Sequence, residues 1–364
     1  MQHRLDGPEH GPPLVLGPSL GTSIRLWEPQ LAALTRTFRV LRFDLPGHGG
    51  APPPVGGSLT IDVLAERVLE VAEASGMESF HYAGVSIGGA IGATLAARHP
   101  GRLRSLAMIC SSARFGEPAG WRERARLVRD EGTAALLEAT AARWFAGPAD
   151  RALLDDLAAT HPQGYAACCE ALAGYDLRAE LGAITVPTLV LAGRDDPATP
   201  PVHARELADG IPGATLVEVP AAAHLANVDQ PEKVTAALLA HLPVTPGMRV
   251  RREVLGDEHV DRAVARTTGF TRDFQDFITR YAWGEIWTRP GLDRRTRSCV
   301  TLTALVARGH LDELAMHVRA ALRNGLSPDE IGEVLLQSAV YCGVPAANAA
   351  FAVAQRVLSE NDVA

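Results

Sequence analysis

The chain has 364 residues, of which 47% are hydrophobic and 21% are charged, and its formal net charge is −7. A chain of this length commonly holds two domains, and a composition so near the globular average excludes wholesale disorder. The acidic balance argues against nucleic acid or an anionic membrane as a general partner, and no apolar run is long enough to predict a membrane span.

The cysteines and the first residues of the chain indicate the compartment. No two of the five cysteines form a CxxC pair, and their odd number argues against a disulfide framework. The residues after Met1 lack the apolar core of a signal peptide. We therefore expect a cytoplasmic protein with reduced thiols.

Strand-like and helical segments alternate along residues 1–243, with helical spacing over 62–75 and 89–99. The alternation predicts an α/β fold around a mostly parallel sheet. The apolar runs expected to form strands are residues 14–16, 40–43, 82–85, 106–110, 188–192 and 216–219. Residues 114–181 interrupt the pattern with helical spacing alone, and we expect them to form a helical lid.

Residues 243–247 are rich in proline and glycine, as expected at a domain boundary, and strand-like runs largely stop beyond them. We predict a first domain over residues 1–243, a linker over 244–249 and an all-α second domain over 250–364. Ser327, Pro328 and Glu330 form a capping-box pattern that marks the start of one helix. The helices predicted for the second domain are residues 257–268, 273–283, 293–307, 311–323, 328–341 and 346–358.

A serine between two glycines follows the third predicted strand. The residues from Gly84 to Gly88 fit the pattern G-x-S-x-G, and a helix of small residues follows them. The glycines permit a turn tight enough to expose Ser86 in a strained conformation, as a nucleophile requires. The alternative is an ordinary strand–helix turn with a capping serine.

A nucleophilic serine needs a base and a carboxylate that orients the base, and both follow later in the chain. Asp195 and Asp196 come just after the strand predicted at 188–192. We prefer Asp196, which leads directly into the next loop, while Asp195 stays open. His224 follows the last predicted strand, so Ser86, Asp196 and His224 occur in the order serine, acid, histidine.

An oxyanion hole requires two backbone N–H groups. The N–H of Ile87 directly follows the serine, and the N–H of Leu20 lies in a Pro/Gly turn after the first strand. An ordinary turn is the alternative for Leu20. Asp44 and His48 could suggest a metal pair, but a glycine-rich turn is the preferred interpretation, so we expect no metal.

Together these segments resemble an α/β-hydrolase. They are GPSLGTSIRLW at 17–27, DLPGHG at 44–49, GVSIGG at 84–89, AGRDDPATPP at 192–201 and AAAHLANVDQPE at 221–232. The segments after Gly17 and Gly193 are similar to those of the 3-oxoadipate enol-lactonase branch in particular. Pro18 departs from that pattern, since histidine or asparagine is common there, but a backbone donor would survive the change.

The resemblance implies hydrolysis of a small, anionic enol-lactone, with Ser86 as nucleophile, His224 as base and Asp196 as its partner. Such a substrate should need an arginine near the lid, with tryptophans as apolar walls. The candidate substrate-binding residues are Trp121, Arg122, Arg143 and Trp144, with Arg114 and Arg124 also available. The alternative for each arginine is a solvated helix face, and for each tryptophan a packing role.

Three polar residues of the second domain share one helix face: His310, Glu313 and His317 have the spacing i, i+3 and i+7. The alternatives are a solvated stripe and a metal-binding face. A metal face is disfavoured because no second helix offers a matching carboxylate and histidine.

The run YAWGEIWTRPGLDRRTRSCVTLTALVARG at 281–309, continued to Phe351, is similar to the 4-carboxymuconolactone decarboxylases. That family shares a helical fold with the alkylhydroperoxidase D proteins, in which a redox CxxC stands where this chain has His310 and Glu313. The resemblance implies decarboxylation without a cofactor, His317 as a proton donor and Glu285 as its orienting partner. Arg297 is the candidate for binding carboxylate, with Arg294 and Arg295 beside it.

The two resemblances support each other, because the product of the decarboxylase family is the substrate of the lactonase family. They imply a bifunctional enzyme of the 3-oxoadipate pathway that acts on small anionic lactones. Relatives of the helical domain assemble as rings, so a homo-oligomer through that domain is expected. Two alternatives stay open: a single-activity hydrolase whose helical domain only oligomerises, and a non-enzymatic binding protein.

Overall fold

The computed structural model describes residues 1–361 apart from His10, Gly57, residues 243–245 and Gly269. The chain divides into two compact units, Met1–Pro243 and Val244–Ala364. Because each unit has its own secondary structure and core, they are described separately.

A seven-stranded sheet organises the first unit. Its strands are β1 (His3–Asp6), β2 (Pro13–Gly17), β3 (Arg39–Phe43), β4 (Phe80–Val85), β5 (Leu103–Ile109), β6 (Thr188–Gly193) and β7 (Thr215–Val219). They lie in the order β1-β3-β2-β4-β5-β6-β7, and every neighbouring pair is parallel except β1 with β3. Strands β4 and β6 are buried along their whole length, which accounts for their largely apolar sequences.

Helices connect these strands. They are α1 (Glu28–Leu34), α2 (Ile61–Ala74), α3 (Ile87–Arg98), α4 (Pro118–Glu131), α5 (Leu137–Trp144), α6 (Arg151–Ala159), α7 (Pro162–Ala173), α8 (Pro201–Gly210), α9 (Ala226–Asp229) and α10 (Pro231–His241). Short 3₁₀ turns cover Ile24–Trp27, Pro100–Arg102, Thr133–Leu136 and Arg178–Ala183. The segment predicted as a lid, residues 114–181, holds α4 to α7 and is inserted between β5 and β6.

The predicted α/β class is confirmed, and each of the six predicted strands is present. The sequence did not predict β1, an edge strand that is mostly exposed to solvent. Because burial imposes no apolar alternation on such a strand, its sequence, HRLD, carries no strand signal.

The second unit contains helices only among its described residues. They are α11 (Pro246–Leu255), α12 (Asp257–Ala265), α13 (Arg272–Ile278), a π-helix (Thr279–Ile286), α14 (Arg294–Arg308), α15 (Leu311–Arg323), α16 (Pro328–Cys342) and α17 (Val344–Asn361). One buried apolar cluster is formed by side chains from all four helices α14, α15, α16 and α17. A second, the α11 cluster, consists of Val250, Val254, Leu255, Val260, Trp283 and Ala320.

The linker prediction is wrong for residues 246–249, which form the first turn of α11; residues 244 and 245 lie outside the described residues. A proline is tolerated at the first helical position, where its missing N–H has no intrahelical acceptor. Gly247 is required for close packing, because a Cβ there would stand 1.9 Å from the Thr279 carbonyl oxygen. A Pro-Gly pair therefore marks a helix start here rather than a linker.

No helix formed by the described residues combines the length and apolar content needed to cross a bilayer.

Candidate active sites

Ser86 occupies the sharp turn between β4 and α3. Its φ is 57°, in the left-handed region that non-glycine residues rarely adopt. Hydrogen bonds hold both its backbone N–H and its carbonyl oxygen. The Ser86 N–H donates to the Ile109 carbonyl oxygen at 2.9 Å, and the Ser111 hydroxyl donates to the Ser86 carbonyl oxygen at 2.8 Å. Its side-chain oxygen has no hydrogen-bond partner among the described residues and is free to meet a ligand.

Glycines around this turn let three backbone segments approach closely. A Cβ on Gly84 would lie 2.3 Å from the Gly88 carbonyl, and one on Gly88 would lie 2.7 Å from the backbone of Gly17. The buried Tyr82 hydroxyl donates to the Gly88 carbonyl oxygen at 2.9 Å and ties the start of α3 to β4. The G-x-S-x-G pattern is therefore a packing requirement of this turn as well as a sequence signature.

Asp196 and His224 meet beyond the ends of β6 and β7. The His224 Nδ1 lies 2.9 Å from the Asp196 Oδ2, and both side chains are buried. Asp195, the open alternative, is exposed and uses its backbone N–H to bond the Ala222 carbonyl oxygen. The geometry therefore pairs the histidine with Asp196.

Further donors hold the Asp196 carboxylate in place. Its Oδ1 accepts the backbone N–H groups of Ala198 and Thr199, and its Oδ2 accepts the Thr199 hydroxyl at 2.7 Å. Burial alone would raise the pKa of Asp196, but the hydrogen bonds from His224 and Thr199 hold it below its usual value. The carboxylate is thus ionised at neutral pH. Thr199 is a site residue that the sequence pattern did not single out.

Leu20 and Ile87 are both buried, and each is positioned by a tight turn. Ile87 is the first residue of α3, so its N–H has no acceptor within the helix. Leu20 lies in a turn closed by bonds between Ser19 and Thr22. Neither N–H donates a hydrogen bond in the described part of the chain, as an oxyanion hole requires.

The lid contacts both the histidine loop and the turn that contains Leu20. The N–H groups of His224 and Leu225 donate to the carbonyl oxygens of Arg143 and Trp144, at 3.3 and 2.9 Å. A Cβ on Gly21 would lie 3.4 Å from the Trp144 ring, so that ring covers the turn directly. The end of α5 is therefore part of the site's wall.

The lid arginines differ in their environment. Arg143 is half-buried and its guanidinium donates to the Thr140 hydroxyl; burial and the nearby charge of Arg124 lower its pKa. The Arg124 guanidinium lies 5.1 Å from the centre of the Trp121 ring. Within the described residues, neither Arg124 nor Arg143 has a carboxylate at ion-pair distance. Arg122, by contrast, is exposed.

Two other candidate residues of the lid have partners within the protein. Arg114 forms an ion pair with Glu117, so its charge is already compensated. The Trp121 indole N–H donates to the Phe115 carbonyl oxygen, which makes Trp121 a partly buried packing residue and a support for Arg124. Of the two arginines, Arg124 is the one whose charge acts on Arg143, while the substrate contact of Arg122 stays a prediction.

The loop with Asp44 and His48 is structural. Asp44 accepts the N–H groups of Ile24 and Gly50, and His48 is fully buried with its ring stacked on that of Tyr165. Burial lowers the pKa of His48 to about 4, so the ring is neutral at pH 7. The interpretation as a glycine-rich turn agrees with these contacts.

In the second unit, His317 lies on α15 and is partly buried. Burial, followed by the nearby charge of His259, lowers the pKa of His317 to about 4, while Glu313 acts in the opposite direction. His317 is therefore neutral at pH 7 and can exchange a proton with a bound ligand. His259 on α12 is a neighbour that the sequence analysis missed.

Of the other predicted residues of this site, only Glu313 lies close enough to His317 to affect its pKa. Glu285 is exposed in the π-helix, and its carboxylate lies 3.7 Å from Arg280; no hydrogen bond or ion pair joins it to His317 in the described part. His310 is exposed at the N-cap of α15, ahead of the helix proper. Glu313 is exposed one turn before His317.

The three arginines of α14 are engaged in structural contacts. Arg294 pairs with Glu253, and Arg295 pairs with Glu330. Arg297 donates to the carbonyl oxygens of the preceding loop, at Leu292 and Arg289. No carboxylate lies at ion-pair distance from Arg297 among the described residues, so it keeps an uncompensated charge.

Comparison with known families divides the chain in the same way as the structure. Residues 12–231 match the sequence model of the α/β-hydrolase fold family. Residues 272–356 match the model of the carboxymuconolactone decarboxylase family.

Individual relatives cover each unit nearly in full. A 3-oxoadipate enol-lactonase from Acinetobacter baylyi is 36% identical over 237 residues, which is 63% of this chain and 88% of the relative. A 4-carboxymuconolactone decarboxylase from the same organism is 49% identical over 118 residues, which is 32% of this chain and 88% of the relative. The crystal structure of an enol-lactonase from Burkholderia xenovorans superposes with a TM-score of 0.64 at 39% identity, covering 66% of this chain and 95% of that one.

Proposed function

Since the chain belongs to the α/β-hydrolase family over residues 12–231 and to the carboxymuconolactone decarboxylase family over residues 272–356, we propose that it catalyses two consecutive reactions. The second unit decarboxylates 4-carboxymuconolactone to 3-oxoadipate enol-lactone, and the first unit hydrolyses that lactone to 3-oxoadipate. The proposal depends on one observation. A single chain joins a unit related to 3-oxoadipate enol-lactonases with a unit related to 4-carboxymuconolactone decarboxylases, and the decarboxylase makes the substrate of the lactonase.

In the first unit, Ser86 attacks the lactone carbonyl while His224 accepts its proton. Asp196 holds the imidazole through Nδ1, so that Nε2 is the basic nitrogen, and stabilises the imidazolium that forms. The negative charge on the carbonyl oxygen is met by the N–H groups of Leu20 and Ile87.

Collapse of the tetrahedral intermediate opens the ring. The C–O bond to the enol oxygen breaks, and His224 returns the proton to that oxygen. The enol then becomes a ketone within the acyl chain, so the leaving group stays tethered to the acyl-enzyme. Water, activated by His224, attacks the ester carbonyl and releases 3-oxoadipate and free Ser86.

Arg143 and Arg124 supply the cationic wall of this site. Arg143 adjoins Trp144, and its carbonyl oxygen accepts the His224 N–H, so the end of α5 and the histidine loop are in direct contact. A substrate carboxylate would compensate two arginines that otherwise lack an acidic partner among the described residues. We assign Trp144 to the apolar wall above the lactone.

In the second unit, the C–C bond to the departing carboxylate breaks and CO2 leaves. The bond's electron pair spreads through the ring double bond onto the lactone carbonyl, and a proton added at carbon gives the enol-lactone. His317 is proposed as the group that delivers this proton: burial lowers its pKa to about 4 in the free protein, and the negative charge of a bound substrate would raise that pKa and favour the protonated ring. The orienting role of Glu285 and the substrate contacts of Arg297, His310 and Glu313 stay predictions.

Two measurements on separately supplied substrates test the proposal. Wild type should release CO2 from 4-carboxymuconolactone and should hydrolyse enol-lactone, while His317→Ala loses only the first reaction. If wild type releases no CO2, the single-activity alternative is favoured. If His317→Ala releases CO2 as wild type does, His317 is not the proton donor. A fluorophosphonate should label Ser86 in wild type but not in His224→Ala; equal labelling would contradict the assigned base.

The second unit also offers a surface for self-association, and we propose that it forms the contact in a homo-oligomer. Large apolar side chains around the end of α16 and the start of α17 are exposed, with Tyr341 at 79%, Val340 at 75% and Val344 at 73%. Monomeric proteins seldom expose such a contiguous patch. Light scattering should give a multiple of the chain mass for wild type and a smaller species for Val340→Asp. The predicted cytoplasmic location stays a prediction.

A further inference from the structure

Arg251 is a buried arginine without an acidic partner among the residues that the structure describes. It lies on α11 with only 5% of its surface exposed. Its Nη1 donates to the Thr279 hydroxyl and its Nη2 to the Gln275 side-chain oxygen, each at 3.0 Å. Its Nε is buried without a hydrogen-bond partner, and no described carboxylate lies at ion-pair distance from it.

Such an environment is unfavourable for an isolated cation. Withdrawing a charged group from water costs free energy that neutral hydrogen-bond acceptors repay only in part, which is why buried charges are normally paired. Burial and the charge of Arg252 accordingly lower the pKa of Arg251. An unpaired buried guanidinium with a free N–H is the arrangement expected when the missing partner is an anionic ligand.

One of the two histidines already described in the second unit lies near Arg251, and the other lies near that first histidine. His259 on α12 experiences the charge of Arg251, and His317 on α15 experiences that of His259. Each of the three has a sequence neighbour in or against the α11 cluster: Val250, Val260 and Met316. Three elements thus converge on one small region of the unit.

The π-helix forms another wall of this region. Thr279, which contacts Arg251, is its first residue, and Trp283 belongs to the α11 cluster. A π-helical turn is rare and commonly occurs at functional sites. Arg251 and His259 both precede residues 272–356, so they lie outside the segment matched to the decarboxylase family.

We propose that Arg251, His259 and His317 form the anion-binding site of the second unit, and that Arg251 binds a carboxylate of its substrate. The identity of that substrate, a lactone with two carboxylates, rests on the proposed function.

The chemistry of decarboxylation decides which carboxylate Arg251 holds. A carboxylate that leaves as CO2 loses its charge in the transition state, so a strong ion pair with it would stabilise the ground state and slow the reaction. A carboxylate that stays on the product keeps its charge throughout. Arg251 therefore binds the carboxylate that is retained, and its removal should raise KM more than it lowers kcat.

Steady-state decarboxylation by the full chain tests the role of Arg251. Arg251→Gln should raise KM for 4-carboxymuconolactone by about tenfold or more, with a smaller fall in kcat. Arg249→Gln is the matched control, because Arg249 lies on the same helix but is exposed and pairs with Glu253; its KM should change by less than about twofold. Equal KM values for wild type and a helical Arg251→Gln would overturn the assignment.

Binding of a dicarboxylate that cannot react gives a readout independent of activity. Glutarate should shift the ring resonances of His259 and His317 in wild type labelled with ¹³C-histidine, and in Arg249→Gln, but not in Arg251→Gln. His259→Gln and His317→Gln assign the two signals. Because wild type alone suffices, unchanged resonances at saturating glutarate would refute the site even if Arg251→Gln failed to fold.

The decarboxylation reaction and the anion site can be tested separately. If wild type releases no CO2 but glutarate shifts both histidines, the proposed reaction is wrong and the anion site stands. If wild type decarboxylates the lactone while Arg251→Gln keeps the wild-type KM, the reaction stands and the anion site is wrong.

Discussion

Replacing Asp196 by asparagine tests whether Asp196, rather than the neighbouring Asp195, is the carboxylate that orients His224. The Asp196 Oδ2 accepts a hydrogen bond from His224 Nδ1 at 2.9 Å, whereas an amide NH2 in that place donates. Since the Oδ1 position already accepts the N–H groups of Ala198 and Thr199, the amide oxygen stays there and its nitrogen faces His224. The imidazole must then carry its proton on Nε2, so it cannot act as a base toward Ser86.

The expected loss is large because the wrong tautomer dominates. We expect lactonase kcat to fall by about 10⁴-fold, equivalent to about 5 kcal/mol of transition-state stabilisation. The exposed Asp195 offers a matched control, and Asp195→Asn should change kcat by less than about twofold. Enol-lactone hydrolysis measures the effect, while decarboxylation by the same preparation reports on the second unit. The reasoning is refuted if Asp195→Asn abolishes hydrolysis and Asp196→Asn preserves it.

Three further predictions address the stability and specificity of the first unit. Burial lowers the pKa of His48 to about 4, so below about pH 6.5 this side chain binds more protons in the unfolded chain than in the folded one. Its contribution to the free energy of unfolding should therefore fall by about 2 kcal/mol between pH 7 and 5. Urea titrations should show that His48→Gln loses about 2 kcal/mol less than wild type over this range, and equal losses would contradict the assignment. Gly84→Ala should abolish hydrolysis because its Cβ would lie 2.3 Å from a backbone carbonyl, whereas Gly101→Ala, which meets nothing within 4 Å, should behave as wild type. Arg143→Gln should raise KM for the anionic enol-lactone by about tenfold and leave KM for a neutral lactone unaffected. Arg122→Gln, at an exposed position, should change neither KM. An equal effect of Arg143→Gln on both substrates would argue against carboxylate binding.

The first site could be predicted to a large extent because its geometry is encoded locally. The glycines around Ser86 are demanded by backbone contacts, so the motif is visible in sequence and the strained turn follows from it. Asp196 and His224 follow from the chain order, since parallel strands present their carboxyl ends at one edge of the sheet. Choosing Asp196 over Asp195 required the hydrogen bond itself.

Other residues depended on packing that a sequence does not display. Arg122 and Arg124 are equally basic, and only the packing of α4 places Arg124 over the Trp121 ring and leaves Arg122 exposed. Arg251 lies in a helix whose Pro-Gly start suggested a linker, and its significance comes from burial without an acidic partner. His259 has no motif of its own and is distinguished only by its position near His317.

The central claim is that one chain performs both steps in order, and a single time course with 4-carboxymuconolactone tests it most directly. Mass spectrometry would follow substrate, enol-lactone and 3-oxoadipate for wild type and Ser86→Ala side by side. Wild type should produce 3-oxoadipate, and Ser86→Ala should accumulate enol-lactone at the wild-type rate of substrate loss. If wild type leaves 4-carboxymuconolactone untouched but hydrolyses enol-lactone supplied separately, the second unit is no decarboxylase and the claim of two activities is contradicted.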